Sequence, residues 1–235
     1  MSSQQKQIPR SGRRRRGSVT PVRQVPGPVG GKRDSNRRKH EHDILAAARR
    51  LFLRRGVDNV TVDQIAAKAR IAKGSFYRYY RSQAALIRAM FDPIETRLDA
   101  IYTDCRSGLD QAQGPTGLLD AYVALGAGLA GLLADSSEEV LLYLQECRGP
   151  ASTSRQPIQR VASLLLHQTA HVTEQAMQHG LLRRGEPELT ALAVIGATER
   201  VMYAHLTAKE ARPSVSATPA LIEIFLSGLM QHGSP

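Results

Sequence analysis

The sequence has few of the residues that mark secreted, disulfide-linked or membrane-embedded proteins. Its 235 residues include two cysteines, no tryptophan and only 5% aromatic residues. Two cysteines are too few for a disulfide framework and suit a reducing compartment, so we expect a cytoplasmic protein. No apolar run reaches the roughly 18 residues of a membrane helix. The nearest run, residues 121–134, lies between Asp120 and Asp135, and we expect no membrane span.

Sequence signatures of catalysis, metal binding and nucleotide binding are also missing. The chain has no glycine-rich phosphate loop, no Cys-x-x-Cys, no His-Glu-x-x-His and no Gly-x-Ser-x-Gly. We therefore expect no enzymatic activity and no cofactor. His167, His171 and Glu174 have a spacing that could bind a metal, but a polar helix face is the favoured interpretation and no metal site is predicted. Cys105 and Cys147 are interpreted as buried thiols rather than a redox switch.

Positive charge is concentrated at the N-terminal end. Residues 1–40 carry twelve basic residues and one acid, residues 41–91 ten and four, and residues 92–235 ten and sixteen. This asymmetry points to nucleic acid or another anionic surface. Residues 1–39 are too polar to offset the entropy of ordering, so we predict a disordered basic tail. Its Arg runs are either simply solvated or an arm that adds phosphate contacts.

From residue 41 onward, apolar spacings of three and four predict an all-α protein of about nine helices. The first three, at 41–56, 62–69 and 73–80, have the layout of a helix-turn-helix. Gly56 should end the first helix in a left-handed conformation, and Thr61 and Ser82 should cap later ones. Pro93 should kink or split the fourth helix. The remaining helices are predicted at 116–134, 140–147, 157–179, 188–207 and 219–232.

The third of these helices has one apolar face and one face suited to DNA. Phe76 and Tyr80 are four residues apart and should face the first two helices. The opposite face carries Ser75, Tyr77, Arg78 and Arg81. Such side chains donate hydrogen bonds to phosphates and base edges, and Gly74 would let the backbone approach DNA closely.

Residues 61–80, TVDQIAAKARIAKGSFYRYY, resemble the DNA-binding signature of TetR-family transcriptional regulators. That signature is a Thr cap, a small-residue helix, a turn, and then Lys-Gly-Thr/Ser-Leu/Phe-Tyr-x-Tyr/His-Phe. The resemblance covers roughly residues 41–91. The chain departs from it at Arg70, where the family usually has Gly, and at Ala72, where it usually has Ser or Thr. It also departs at Gln83, where a phosphate-binding Lys is frequent.

The resemblance implies a DNA-contacting set with two roles. Phosphates would be held by the Thr61 region, Lys73, Tyr77 and Tyr79, and the residues nearest base edges would be Gly74, Ser75 and Arg78. The predicted set is Thr61, Lys73, Gly74, Ser75, Tyr77, Arg78, Tyr79 and Arg81. Tyr79 could instead belong partly to the core. For Lys68 and Arg70, a solvated face is an alternative to a phosphate contact.

The resemblance further implies a homodimer in which the last two helices of each chain pack against those of a partner. The alternative is that their apolar stripes are plain intramolecular core. The predicted interface residues are Leu192, Ile195, Gly196, Glu199, Met202, Tyr203, Leu206, Leu221, Ile224, Phe225 and Leu229. A pocket for an unknown small molecule is expected among the middle helices, although ordinary core is the favoured interpretation of each candidate taken individually. The candidates are Tyr122, Leu125, Leu129, Tyr143, Leu144, Cys147, Leu165 and Gln168.

The expected organisation is a basic tail (1–39), a helix-turn-helix domain (40–91) and a helical ligand-binding and dimerisation domain (92–235). We therefore expect a repressor that binds a palindromic operator as a homodimer and is released by a small molecule. The alternative is an architectural or nucleoid-associated protein that combines the same module with the Arg-rich arm. Sequence-tolerant binding with a steep salt dependence would favour that alternative.

Overall fold

The computed structural model of the protein describes residues 32–208, and within that range it contains eight α-helices, one 3-10 helix and no extended strand. The α-helices are α1 (Lys32–Arg55), α2 (Val62–Lys68), α3 (Lys73–Tyr79), α4 (Gln83–Gln111), α5 (Gly114–Asp135), α6 (Ser137–Glu146), α7 (Gln156–Gln178) and α8 (Pro187–Thr207). The 3-10 helix, Val57–Asn59, is called the connector turn below. The all-α prediction is confirmed. The predicted helix at 219–232 and residues 1–31 of the predicted tail lie outside the described residues.

Helix α1 begins at Lys32, so the prediction of disorder was wrong for residues 32–39. Lys and Arg are good helix formers, and Asp34 in the first turn complements the positive end of the helix dipole. Because Ile44 and the following turns are fixed by burial, adding turns in front of them needs no new nucleation. Apolar burial alone gives no sign of these turns, so the predicted helix began at residue 41 rather than at Lys32.

The first three helices pack around fully buried side chains. Phe52 of α1, Ile65 of α2 and Phe76 of α3 have no exposed surface, and Leu86 and Phe91 of α4 continue the same core. Burying such side chains contributes on the order of 1.5–3 kcal/mol each. The helix-turn-helix is thus joined to the helical body through one continuous hydrophobic core.

Helix α4 runs unbroken through Pro93, so the alternative in which this proline splits the helix was wrong. Pro93 lies on the exposed side of α4. Proline has no N–H, and water can donate instead to the carbonyl four residues earlier that loses its helical hydrogen bond. The buried residues of α4 continue on both sides of Pro93, from Leu86 to Leu109, and this burial holds the helix together.

Helix α5 packs closely along α4 through small residues. A Cβ placed at Gly108 would lie 3.0 Å from Ala121, and one placed at Gly128 would lie 3.0 Å from Ile101. By length and composition, one helix in the described part of the chain, Thr116–Asp135, is apolar enough to cross a membrane, and 22% of that stretch is buried. It is longer than the apolar run counted from the sequence because the helix begins before Asp120.

Helices α4 and α7 meet along a row of hydrogen-bonded polar side chains, the α4–α7 polar seam. The Tyr102 hydroxyl lies 2.7 Å from Thr169 Oγ1, and Gln168 Nε2 donates to Asp99 Oδ1 over 2.8 Å. Burial raises the pKa of Tyr102 to about 12, against the opposing effect of the Thr169 hydrogen bond. These hydrogen bonds satisfy the buried polar groups of Tyr102, Thr169 and Gln168. Gln175 Oε1, in the same interface, is buried without a hydrogen-bond partner among the described residues.

Candidate nucleic-acid interface

Thr61 closes the N-terminus of α2 with a reciprocal pair of hydrogen bonds. The Gln64 amide donates to Thr61 Oγ1 over 3.3 Å, and the Thr61 amide donates to Gln64 Oε1 over 3.0 Å. This is a capping box, so the predicted cap is confirmed. The Thr61 hydroxyl accepts in this arrangement, and its proton remains a donor for a phosphate oxygen.

The turn between α2 and α3 forces Arg70 into the left-handed region, with φ 57°. The Arg70 amide donates to the Ala67 carbonyl over 3.2 Å, and the Ile71 amide donates to the Ala66 carbonyl over 3.0 Å. This bond pair is the Schellman ending, which usually places glycine where Arg70 stands. Ile71 then packs against the core and fixes the direction of the chain into α3.

Helix α3 presents the predicted face to solvent. Phe76 is fully buried, whereas Tyr77 is 48% exposed and Arg78 is exposed. Ala72 caps the helix without a side-chain hydrogen bond, as expected from its replacement of Ser or Thr. Arg78 Nη2 donates to Ser75 Oγ over 3.0 Å, which holds these two candidate base-contacting side chains together.

Gly74 has open space around it. A Cβ added there would meet nothing within 4 Å, and the residue lacks a positive φ. Neither backbone conformation nor packing within the described chain therefore demands glycine. The residue leaves a bare patch of helix backbone beside Tyr77 and Arg78.

Lys73 is paired with a carboxylate that sequence reasoning did not include in the site. Lys73 Nζ lies 2.9 Å from Asp63 Oδ1 and 3.0 Å from Oδ2, and both side chains are exposed. The hydrogen bond and the charge of Asp63 raise the pKa of Lys73. Asp63 lies in the first turn of α2, where an acidic residue is an ordinary helix signal. Ten residues separate it from Lys73, so the sequence gives no sign that the two are paired.

Tyr79 belongs partly to the core, and its hydroxyl reaches the surface beside α1. Its ring is half-buried against the core, and its hydroxyl lies 3.1 Å from His40 Nδ1 of α1. The two rings meet edge to face with centroids 6.2 Å apart. His40 was not predicted as part of the site, and it holds the Tyr79 hydroxyl at the surface.

Gln83, at the position where the resembling family often has lysine, is bonded within the chain. Its Nε2 donates to the Val57 carbonyl over 2.5 Å, so this amide secures the connector turn from the start of α4.

The polar side chains among the predicted pocket residues already have hydrogen-bond partners within the chain. The Tyr122 hydroxyl donates to the Val172 carbonyl over 3.0 Å, and the Tyr143 hydroxyl donates to Glu199 Oε1 over 2.5 Å. Gln168 lies in the α4–α7 polar seam. The remaining candidates are half-buried apolar or thiol side chains: Leu125, Leu129, Leu144, Cys147 and Leu165.

The two cysteines are free thiols in the described part of the chain. Burial raises the pKa of Cys105 to about 11, with Arg106 opposing the shift. Burial, followed by the charge of Glu199, also raises the pKa of Cys147. Within residues 32–208 no group of three His, Cys, Asp or Glu side chains could hold a metal ion.

Helix α8 exposes part of the predicted dimer face. Leu192 is 54% exposed and Tyr203 36% exposed, and Leu189 beside them is exposed as well. Glu199 lies outside this surface, because it is buried within the chain against Tyr143 and Arg148. The half-buried members are Ile195, Gly196, Met202 and Leu206. The predicted residues Leu221, Ile224, Phe225 and Leu229 lie outside the described residues.

Comparison with known proteins places the strongest sequence similarity on the helix-turn-helix. Residues 44–90 match the family described as bacterial regulatory proteins, tetR family. The uncharacterized HTH-type transcriptional regulator YdeS of Bacillus subtilis is 44% identical over 48 residues, covering 20% of this chain and 24% of that protein. The match therefore spans about a quarter of this curated relative.

Solved structures extend the similarity to the body at the level of the fold. NalD, the secondary repressor of the MexAB-OprM multidrug efflux pump in Pseudomonas aeruginosa, aligns with a TM-score of 0.65 at 18% identity. That alignment covers 84% of this chain and 98% of NalD. FadR of Bacillus subtilis, solved in complex with stearoyl-CoA, aligns with a TM-score of 0.60 at 16% identity, covering 80% of this chain and 98% of FadR.

Proposed function

Because the chain belongs to the TetR family of bacterial regulatory proteins through its helix-turn-helix segment, we propose that it is a transcriptional regulator that binds a palindromic operator as a homodimer. The observation that carries this proposal is the exposed face of α3. There, the open backbone at Gly74 adjoins Tyr77 and Arg78, and packing within the described chain requires neither the glycine nor the outward aromatic ring. A recognition helix needs such a face to enter the major groove.

The geometry supports two kinds of contact, to phosphates and to base edges, made by different side chains. Lys73 and Tyr77 are exposed donors on α3, and the Thr61 hydroxyl is an exposed donor at the N-terminus of α2; all three suit phosphate contacts. Arg78, held by Ser75, is the long donor that reaches base edges. Tyr79 donates to a phosphate from its position beside His40, and Arg81 adds charge at the end of the helix.

The apolar face of α8 supports the dimer. An isolated subunit would leave Leu189, Leu192 and Tyr203 in water, and obligate interfaces bury surfaces of this kind. A two-fold dimer also matches the two halves of a palindromic site.

We further propose that the regulator is a repressor released by a small, largely apolar molecule bound in the helical body. NalD is described as a repressor, and FadR was solved with stearoyl-CoA. In this chain the half-buried Leu125, Leu129 and Leu144 offer apolar contacts. The polar groups nearby already have partners, which favours a ligand with little polarity.

The test is selection of binding sites from randomised duplex DNA by the full chain, with sedimentation to measure its assembly state. The expected result is enrichment of one inverted repeat bound by a dimer. Arg78→Ala should relax base preference at one position of each half-site, at about 1–3 kcal/mol per base pair. No enriched sequence, together with a steep salt dependence, would favour the architectural alternative and contradict this proposal.

A further inference from the structure

The connector turn between α1 and α2 is held by hydrogen bonds to the amide and to the carbonyl of one residue, Val57. The Val57 amide donates to Glu146 Oε1 at the end of α6 over 3.1 Å. The Val57 carbonyl accepts from Gln83 at the start of α4 over 2.5 Å. The chain segment that leads into α2 is therefore held by the end of α6 in the body and by the start of α4.

Glu146 belongs to a largely buried ion network. Its side chain is 7% exposed, and its Oε2 accepts from Arg155 Nε over 2.7 Å. Arg155, 15% exposed, immediately precedes α7, and its Nη1 pairs with Asp58 of the connector turn. The Asp58 side chain is 36% exposed. Removing a partner of Glu146 or Arg155 would leave a largely buried charge uncompensated, so these pairs hold the two elements together.

A second set of bonds closes the loop between α6 and α7 onto the same turn. Ser152 Oγ donates to Asp58 Oδ1 over 2.8 Å and accepts from the Arg155 amide over 3.1 Å. Arg155 Nη1 also donates to the Pro150 carbonyl over 3.2 Å. Asp58 thus organises a loop that lies more than ninety residues away in sequence.

Two glycines show how closely the backbone fits the network. Gly56 has φ 77°, and a Cβ there would lie 2.9 Å from Glu146 Oε1. A Cβ at Gly149 would collide with the guanidinium of Arg155. Since both carboxylates hold that guanidinium, it cannot yield without breaking an ion pair.

The opposite end of α6 is also tied to the helix-turn-helix. Arg49 of α1 pairs with Glu138 over 2.8 Å and with Glu139 over 2.7 Å. Helix α6 is therefore tied to the helix-turn-helix at both ends, by Arg49 at its start and by the Glu146–Arg155–Asp58 network at its end.

We propose that Glu146, Arg155 and Asp58 are positioning residues that set the spacing between operator half-sites. This inference rests on the proposed function, in which two such modules act from one dimer. The separation of two recognition helices follows from the angle of each module on its body. Each base pair inserted between half-sites moves them apart by about 3.4 Å and rotates them by about 35°. A rigid network therefore selects one spacing.

The experiment compares the full-length wild type with Asp58→Asn and Glu146→Gln. The probes are the inverted repeat selected by the wild type and the same DNA with its spacer one base pair shorter or longer. The wild type should discriminate against altered spacers by about tenfold or more, in the range of one mismatched base pair. Both variants should lose most of that discrimination and keep their base preferences within each half-site.

Matched variants separate positioning from charge and from folding. Asp135→Asn breaks the exposed pair with Arg97, 2.7 Å apart, and should behave as the wild type. Gly149→Ala changes no charge but displaces Arg155, so it should lose spacing discrimination as the network variants do. Unchanged discrimination in folded Asp58→Asn, Glu146→Gln and Gly149→Ala, or joint loss of base preference and spacing preference, would overturn the proposal.

Hydrogen exchange on the free protein tests the network without DNA. Asp58→Asn should speed amide exchange in the connector turn and in residues 149–155 together, because one network orders both. Faster exchange in the connector turn alone would overturn the network. Failure of the wild type to select an inverted repeat would count against the proposed function instead, so the two failures are distinguishable.

Discussion

Arg70 and Gly180 occupy the same position in two identical helix endings. At Gly180, with φ 75°, the amide donates to the Met177 carbonyl over 3.2 Å, and the next amide donates to the Ala176 carbonyl over 2.9 Å. The bonds at Arg70 follow the same pattern at φ 57°. Only one of the two endings has the residue that tolerates this conformation without strain.

Arg70→Gly should therefore stabilise the protein by about 1 kcal/mol, the cost of a side chain in the left-handed region less the entropy of glycine. Urea unfolding measures the change. Arg70→Ala keeps a Cβ and should bring no such gain, while Gly180→Ala should destabilise by a similar amount. Equal stabilities for Arg70→Gly and Arg70→Ala would show that backbone strain at this turn is negligible.

Gly74→Val should keep the fold and abolish specific DNA binding. The added Cβ meets nothing within 4 Å in the protein, so the expected loss arises where the backbone approaches DNA. Circular dichroism and binding to the selected repeat give the two readouts. Ala72→Ser is the matched neighbour: it restores a helix cap worth about 1 kcal/mol and should retain binding. Ordinary affinity in Gly74→Val would mean that α3 does not enter the groove.

Asp63→Asn should strengthen DNA binding several-fold at low salt. The change frees Lys73 from its carboxylate partner and removes a negative charge from the candidate interface. The gain should shrink as salt rises, since screening weakens every exposed charge interaction. Asp135→Asn removes the same charge from the body. Equal affinities for the two variants would place Asp63 away from the DNA.

Leu192→Glu combined with Tyr203→Glu should yield monomers with weakened operator binding. Both side chains are exposed on α8, where charge would oppose burial against a second subunit. Val123→Glu places the same charge on an exposed apolar position of α5 and should leave the assembly state unchanged. Sedimentation measures the assembly state. An unaltered dimer in the double variant would show that the interface lies elsewhere.

Stability should fall as the pH rises above about 9. The Cys105 thiol has an ordinary pKa of 9.0, and burial raises it to about 11 in the folded protein. Between these values the unfolded chain releases a proton that the folded protein keeps, so alkali favours unfolding. Cys105 should contribute about 1 kcal/mol of the loss between pH 9 and 10, measured by urea titration. Tyr102, whose pKa rises from 10.0 to about 12, adds to the loss in the same direction. Cys105→Ala should therefore reduce the slope of stability against pH without abolishing it, and an unchanged slope would show that Cys105 does not contribute.

Local patterns in the sequence predict those features that depend on interactions between residues close together in the chain. Thr61 and Gln64 are three residues apart and form the predicted cap, and Phe76 turns inward as its spacing requires. Gly56 ends α1 with a positive φ, but its ψ of 156° lies outside the left-handed helical region predicted for it. A Cβ at Gly56 would also lie 2.9 Å from Glu146 Oε1, a contact with a distant residue that no local pattern reveals.

Partners far apart in sequence escaped prediction for the same reason. Asp63 with Lys73, His40 with Tyr79 and Asp58 with Arg155 are ordinary surface residue types until the fold joins them. Glu199 was assigned to a partner-facing stripe because charge alone does not tell whether a carboxylate is neutralised inside its own chain. Its partners Tyr143 and Arg148 lie on and just beyond α6.

The α4–α7 polar seam fixes the register of the two helices. A hydrophobic interface tolerates sliding, since one apolar contact replaces another. A hydrogen bond such as Tyr102–Thr169 or Gln168–Asp99 forms only while its own donor and acceptor stay opposite each other. A slip by one turn, about 5.4 Å, would break every bond of the seam and leave buried polar groups without partners. Helices α4 and α7 therefore move as one rigid unit, and any rearrangement of the body must take place around that pair.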